Sequence, residues 1–318
     1  MRAPARWSVL AGAGLAVALL PSIVSSRYLL GTLVFIGLNA LAALGLSLVM
    51  GFAGQVSLGQ AAFFAVGAYT SGVLTASHGW NGWAALALAA GAGALTAFLV
   101  GLPIFRLSGL LLAMASLGFG IIVYYVLVNW VPVTGGPSGL TGIPPLALGS
   151  FAFSTDRRML WLVWAAVLLA LGLCGNLVDS RVGRALRAIH GSEAAAQAAG
   201  IDVTRLKLGV FALAGGLTAL AGGLYAHYLA FINPSPFGFA YSVELVVMVV
   251  LGGVASLWGA VLGAAVVVVL VEALRALLPL LTASHGAAEY EIVVFGLILM
   301  AFMVFLPGGL TRFRETRA

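Results

Sequence analysis

The run YLLGTLVFIGLNALAALGLSLVM at 28–50, followed directly by GFAGQVSLGQAAFFAVGAYTSG at 51–72, decides the fold. From Tyr28 to Met50 there is no charged residue. A helix rises about 1.5 Å per residue, so roughly 20 apolar residues cross the ~30 Å hydrocarbon of a bilayer, and the first run is long enough. The second is the densest in glycine and polar side chains among the apolar runs, with Gly51, Gly54, Gly59, Gly67 and Gly72 beside Gln55, Ser57 and Gln60. Glycine permits close helix contact or non-helical backbone, which survives at membrane depth only where protein or a cavity receives it. The two runs together predict a membrane span followed by a broken helix beside a pathway.

The rest of the chain is of the same kind. Of 318 residues, 62% are hydrophobic and 8% charged. Soluble domains hold about 45–50% apolar and about 25% charged residues, so this composition excludes an ordinary soluble enzyme, and it is far too apolar for disorder. The expected fold is an all-α, polytopic integral membrane protein of about ten transmembrane helices, at 7–24, 28–50, 61–77, 82–102, 109–131, 159–178, 208–230, 242–256, 259–281 and 290–306. All of 1–318 is expected to form one transmembrane domain. MRAPAR followed by WSVLAGAGLAVALL has the parts of a secretory signal, but no A-x-A-like cleavage site follows, so a retained first span is expected.

The net charge of +6 resides almost wholly in arginine, with Lys207 the only lysine, scattered between apolar runs instead of gathered with aromatics as nucleic acid requires. With an inside N-terminus and ten crossings, the cytoplasmic side collects Arg2, Arg6, Arg106, Arg181, Arg184, Arg187, Arg205, Lys207, Arg312, Arg314 and Arg317, against Arg27, Arg157 and Arg158 outside. That asymmetry follows the positive-inside rule and puts both termini in the cytoplasm. Trp80, Trp83, Trp130, Trp161 and Trp258 fall near span ends, where amphipathic rings suit the headgroups.

Two connections exceed simple turns. The outer one, 132–158, is rich in Gly, Pro, Ser and Thr and reads as an extracytoplasmic loop. The inner one, 179–207, holds the largest cluster of charge and two helix-like pieces, RVGRALRAI and SEAAAQAA, with Ser192 as N-cap and Gly200 as C-cap of the second. Helices this short are marginal in water, so something must pack on them. The plainer alternative is a solvated, positively charged loop.

Chemistry-bearing clusters are sparse. His78, His190, His227 and His285 show no metal-ligand spacing, Cys174 lies in an apolar run and reads as a packing thiol, and no G-x-x-x-x-G-K-[ST] loop is present. No catalytic residue, metal site or cofactor on this chain is expected. The neutral polar groups Asn39, Ser47, Gln55, Ser57, Gln60, Asn129 and Asn233, with Glu244, are the candidates for a translocation pathway. Neutral hydrogen-bonding groups suit a small neutral or zwitterionic solute better than an ion pump's carboxylate relay, although such groups also serve to hold helices together. Glu272 and Arg275, i and i+3, are expected to pair. GVASLWGA at 253–260 faintly echoes GQVSLGQA at 54–61, a hint of internal repetition.

GLNALAALGLSLVMGFAGQVSLGQAAFFAVGAY (37–69), GRALRAIHGSEAAAQAAGIDVTRLKLGVFALAGGLTALAGGLYA (183–226) and SVELVVMVVLGGVASLWGAVLGA (242–264) resemble the membrane permease of bacterial branched-chain amino-acid ABC importers, the longer of the two paired permeases. The resemblance runs from about residue 30 to FLPGGL at 305–310. It implies a plasma (inner) membrane subunit that moves leucine, isoleucine and valine. Its implied partners are a second homologous permease, two ATP-binding-cassette ATPases that hold the ATP and Mg, and an extracytoplasmic amino-acid-binding protein. It implies further that 183–206 is the cytoplasmic coupling segment, the counterpart of the EAA loop, with Glu193, Ala195, Ala196 and Gly200 matching its pattern. Against the widespread EAA-x-x-x-G spacing the glycine falls one residue late. Arg184 and Arg187 would then meet partner carboxylates. Permeases for urea, short amides or ribose share the superfamily and remain alternatives. A membrane enzyme would need converging His, Asp or Glu within the spans, and a purely structural protein would not need the capped segment.

Overall fold

The computed structural model describes residues 26–281 except Ser108 and Ser150, together with residues 12, 14, 296, 297, 300, 309 and 310. The expected spans at 7–24 and 290–306, and both termini, lie outside this set save for isolated helical positions. Each of the other eight expected spans is a helix. They are α1 (Arg27–Ser47, running on into a π turn, Leu48–Phe52), α2 (Gln60–Ala76), α3 (Gly82–Ile104), α4 (Leu110–Asn129), α5 (Asp156–Asp179), α8 (Val203–Leu229), α9 (Phe239–Gly252) and α10 (Leu257–Leu281). The inner connection folds into α6 (Arg181–Gly191) and α7 (Glu193–Ala198). Among the described residues six helices are long and apolar enough to cross a membrane, whereas α2 has 17 residues and α9 has 14, so the expected ten crossings are matched only roughly.

Two boundaries moved for identifiable reasons. Asp202 caps α8 by accepting from the Arg205 N–H at 3.1 Å, so Arg205 and Lys207 lie on α8 and not in the connection before it. Pro234 precedes and Pro236 lies within a 3-10 turn, Ser235–Phe237, between α8 and α9, and α9 starts at Phe239. In the outer connection, β1 (Leu140–Thr141) pairs with β4 (Phe231–Ile232), and β2 (Ala147–Leu148) with β3 (Phe151–Ala152), a set of short ladders with no domain of its own.

Lipid supplies no hydrophobic drive between helices, so close packing must come from small residues. Gly222 of α8 receives the Phe64 carbonyl of α2, Gly67 of α2 receives the Ala219 carbonyl, and Gly93 and Gly215 meet where α3 crosses α8. Any Cβ at these places would land on backbone or side-chain atoms. α1 occupies the middle of the bundle, with 83% of its apolar window buried against 22% for α4. The outer surface of α3 and α4 is apolar, with Leu95, Leu99, Leu110, Leu111 and Ile122 exposed, as a lipid-facing surface must be.

The up-and-down course sorts the connections to two ends. At one end lie α6, α7 and both helix breaks, since Gly54 abuts His190 and Gly51 abuts Val254. At the other, Trp83 Nε1 donates to the Ala147 carbonyl at 2.7 Å, Tyr228 donates to Asp156 at 3.0 Å, and Tyr28 donates to Glu272. Among the described residues the α7 end carries Arg106, Arg181, Arg184, Arg187, Arg205 and Lys207, the opposite end Arg27, Arg157, Arg158 and Arg275. Arg275, expected inside a span, lies near that opposite end of α10, 3.7 Å from Glu272.

Candidate coupling site

The α6 helix starts because Ser180 Oγ accepts from the N–H groups of Val182 and Gly183 at 3.1 and 3.5 Å. Gly183, Leu186 and Ile189 make its buried stripe, with Gly183 seated on the Val178 carbonyl. Arg184 and Arg187, expected to meet partner carboxylates, each turn one guanidinium nitrogen back to α5. Their Nη1 atoms donate to the carbonyls of Asp179 at 3.4 Å and Val178 at 3.1 Å. These are among the last carbonyls of α5, which have no intrahelical donor and carry the negative end of its dipole. Both arginines remain exposed.

The six residues of α7 hold together through their ends. Ser192 Oγ accepts from the Ala195 N–H at 3.3 Å, the expected N-cap. At the other end Gly200 adopts φ +81°, with Gly200 N–H on the Gln197 carbonyl at 2.9 Å and Ile201 N–H on the Ala196 carbonyl at 3.0 Å. This pair of bonds is a Schellman closure, with glycine in the left-handed position just past the cap. Ala196 then packs with Ile189 and Val203, flanked by Ile201 and Leu206. Ala194, Ala195, Ala198 and Ala199 are left exposed as a smooth face.

Glu193 faces the bundle. Its Oε1 accepts from Lys207 Nζ at 2.5 Å and from Gln55 Nε2 at 3.2 Å. Sequence reasoning counted Lys207 without assigning it a role; its being the only lysine among fifteen basic residues was the one signal available.

The broken helix predicted within 51–72 is present, with its break at 53–59. After the π turn the chain runs non-helically through 53–59, Gly54 taking φ +67° where it meets the His190 ring. Serines from two other helices stabilise it: Ser116 Oγ of α4 accepts from Leu58 N–H and Ser242 Oγ of α9 from Ala61 N–H, each at 3.0 Å. A small surface crevice adjoins this junction, lined among others by Leu58, Ala61, Leu117, Ile121, Phe237 and Ser242. The echoing stretch at 253–260 is also a break, with Gly253 at φ +114° and Ser256 Oγ accepting from Gly259 N–H at 3.0 Å. The two breaks touch, and Ser47 Oγ donates to the Val254 carbonyl at 3.3 Å.

The pathway candidates do not converge. Gln55 lies at the α7 end beside Glu193, Ser47 bonds the 253–256 break, and Gln60 lies part-way along the bundle. Gln60 Oε1 accepts from Thr218 at 3.0 Å, while its buried Nε2 has no partner among the described residues. Asn39 is engaged within the bundle, donating to the Phe35 carbonyl at 3.0 Å and accepting from Tyr241 at 2.9 Å. Asn129 donates to the Tyr125 carbonyl at 2.8 Å and Asn233 packs beside Gly139, both at the opposite end, and Glu244 is half-buried in the first turns of α9. His227 is structural, with one ring nitrogen 2.8 Å from Ser71 Oγ and the other 2.8 Å from the Pro144 carbonyl. Among the described residues no three His, Cys, Asp or Glu side chains are grouped to hold a metal.

A bundle of long apolar helices, with a doubly capped helical connection at one end, is that of a multi-pass integral membrane protein. The chain belongs to the family described as branched-chain amino acid transport system / permease component, which it matches over residues 28–303. It is 33% identical to the high-affinity branched-chain amino acid transport system permease protein LivM of Salmonella typhimurium, over 84% of this chain and 66% of that protein. It thus spans just under two thirds of that relative's length. It is 26% identical to the corresponding LivH protein of the same organism, over 85% of this chain and 90% of the relative. A shorter match, 31% identical, covers 54% of the chain and 51% of the ribose import permease protein RbsC of Escherichia coli. No solved structure matches the chain.

Proposed function

We propose that this chain is the transmembrane permease subunit of an ATP-binding-cassette importer for leucine, isoleucine and valine in the bacterial inner membrane. It works with a homologous second permease, an extracytoplasmic amino-acid-binding protein, and two ATPase subunits that bind ATP and Mg. The observation that carries the docking role is α7, a six-residue helix capped at both ends with an exposed alanine face. Small side chains let a partner surface approach closely, and rigid ends transmit a push where a frayed loop would absorb it. Arg181 and the outward donors of Arg184 and Arg187 supply charge for partner carboxylates. Glu193, Ala196 and Gly200 shape the segment from within, while Ala195 belongs to its face.

The α7 end is then cytoplasmic, in keeping with its larger share of basic residues, and both termini lie on that side. Closure of the ATPases displaces α6 and α7 and alternates access to the pathway, to which Asn39, Ser47, Gln55, Ser57, Gln60, Asn129, Asn233 and Glu244 contribute polar groups.

The test is co-isolation of the chain with its co-encoded ATPases, then uptake in membrane vesicles. Ala195→Arg and Ala198→Arg should abolish ATPase retention and uptake while leaving the chain inserted; normal uptake in both would sink the docking role. Titrating the co-encoded binding protein with leucine, urea and ribose fixes the solute. Binding of ribose alone would favour the second reading, which the partial likeness to a ribose permease keeps open.

A further inference from the structure

Lys207 lies on the first turns of α8 at 5% exposure, with its ammonium on Glu193 Oε1 at 2.5 Å. Glu193 itself is 43% exposed. The same carboxylate oxygen accepts from Gln55 Nε2, which also donates to the Ala53 carbonyl at 3.2 Å. One oxygen atom therefore joins α7, α8 and the break between α1 and α2. One residue before Gln55 the break also touches α6, where Gly54 rests on the His190 ring. Separating a buried ammonium from its carboxylate strands a charge in low dielectric, so this junction resists opening far more than an apolar contact of equal size. The remaining inward attachment of α7 is the small Ala196 cluster, about which a helix of six residues can tilt.

We propose that Lys207 is a positioning residue for coupling: it locks Glu193 in place so that a displacement imposed on the exposed face of α7 reaches the 53–59 break through Gln55 and does not dissipate as a tilt of α7. This rests on the reading that α7 receives the ATPase. The break, in turn, is tied by Ser116 and Ser242 to α4 and α9, so its movement reaches the helices around the crevice.

The experiment uses the whole importer, the chain with its co-encoded permease, ATPases and binding protein, in proteoliposomes. Lys207→Met removes the ammonium and leaves Glu193 half in water; Lys207→Arg keeps the charge. The methionine variant is expected to retain the ATPases and to hydrolyse ATP, while solute moved per ATP falls about 5- to 150-fold, the usual span of one coupling free energy. The arginine variant regains most of it. Spin labels at Val56→Cys and Gln197→Cys, both exposed, give a second readout, since Cys174 is buried. With Lys207 present their separation should stay constant on ATP trapping, and with methionine it should change. Unaltered transport per ATP in the methionine variant, or a changing separation in the unmodified chain, overturns the proposal. Loss of the ATPases from the methionine variant alone also overturns it, making Lys207 part of the docking surface. Failure of the unmodified chain to retain ATPases overturns the docking reading itself.

Discussion

Gly200→Ala isolates one physical term. Gly200 holds φ +81°, and a Cβ built there has nothing within 4 Å, so alanine meets no neighbour and adds only backbone strain. The left-handed region costs an L residue about 1–2 kcal/mol, which multiplies the local opening equilibrium of α7 by roughly 5 to 30. Hydrogen exchange read by mass spectrometry on the chain in nanodiscs reports it directly. The N–H groups of Gly200 and Ile201 close the Schellman motif, and Ala199 N–H bonds the Ala195 carbonyl at 3.1 Å, so these amides should exchange faster by that factor. Amides of α8 from Ala219 to Ala226 should not change. Gly200→Asn should have a smaller effect, because asparagine visits the left-handed region more readily than alanine. Equal exchange in the parent and alanine proteins, or a larger effect from asparagine, would refute the strain argument and leave α7 held by its packing instead.

Three further outcomes follow from the same geometry. Ser192→Ala removes the α7 N-cap and should speed exchange of the same peptide by an amount equivalent to about 1 kcal/mol, less than additively with Gly200→Ala because both act on one helix. Gly222→Val places a side chain on the Phe64 carbonyl and should lower the detergent melting temperature sharply, overpacking costing about 1–3 kcal/mol, whereas Gly118→Ala, with open space around it, should not. His227→Leu leaves Ser71 Oγ and the Pro144 carbonyl without their partner and should destabilise the fold by about 1–3 kcal/mol for each group left unsatisfied, seen in the same melt.

What the sequence disclosed was whatever local rules control. Apolar run length located the eight described spans, glycine density located the break at 53–59, and Ser192 and Gly200 marked both ends of α7. The start of α8 was also locally encoded, in Asp202, but the apolar run after Lys207 drew the boundary too late. What local rules left out is direction across space. Arg184 and Arg187 face carbonyls of α5 because a helix end a few residues upstream needed donors, a demand that composition does not display. Glu193 turns inward because Lys207 and Gln55 converge on it from segments 14 and 138 residues away. Asn39 meets Tyr241 across 202 residues. Polar residues in a span are equally ready to bind a solute or a neighbouring helix, and the packing that decides between them is not written in their spacing.

The brevity of α9 has a consequence for the membrane around it. Fourteen residues make a helix of about 21 Å, short of the ~30 Å hydrocarbon by roughly 9 Å. The shortfall falls beside the irregular backbone at 231–238, with Phe231 and Phe239 exposed. The pairing of β4 with β1 satisfies part of this backbone, and the rest cannot face acyl chains, so it must be covered by protein or meet water where the bilayer thins. Thinning becomes costlier as acyl chains lengthen, so membrane thickness should act on this subunit as an assembly variable, with long-chain lipid favouring the covered state and short-chain lipid tolerating the subunit alone.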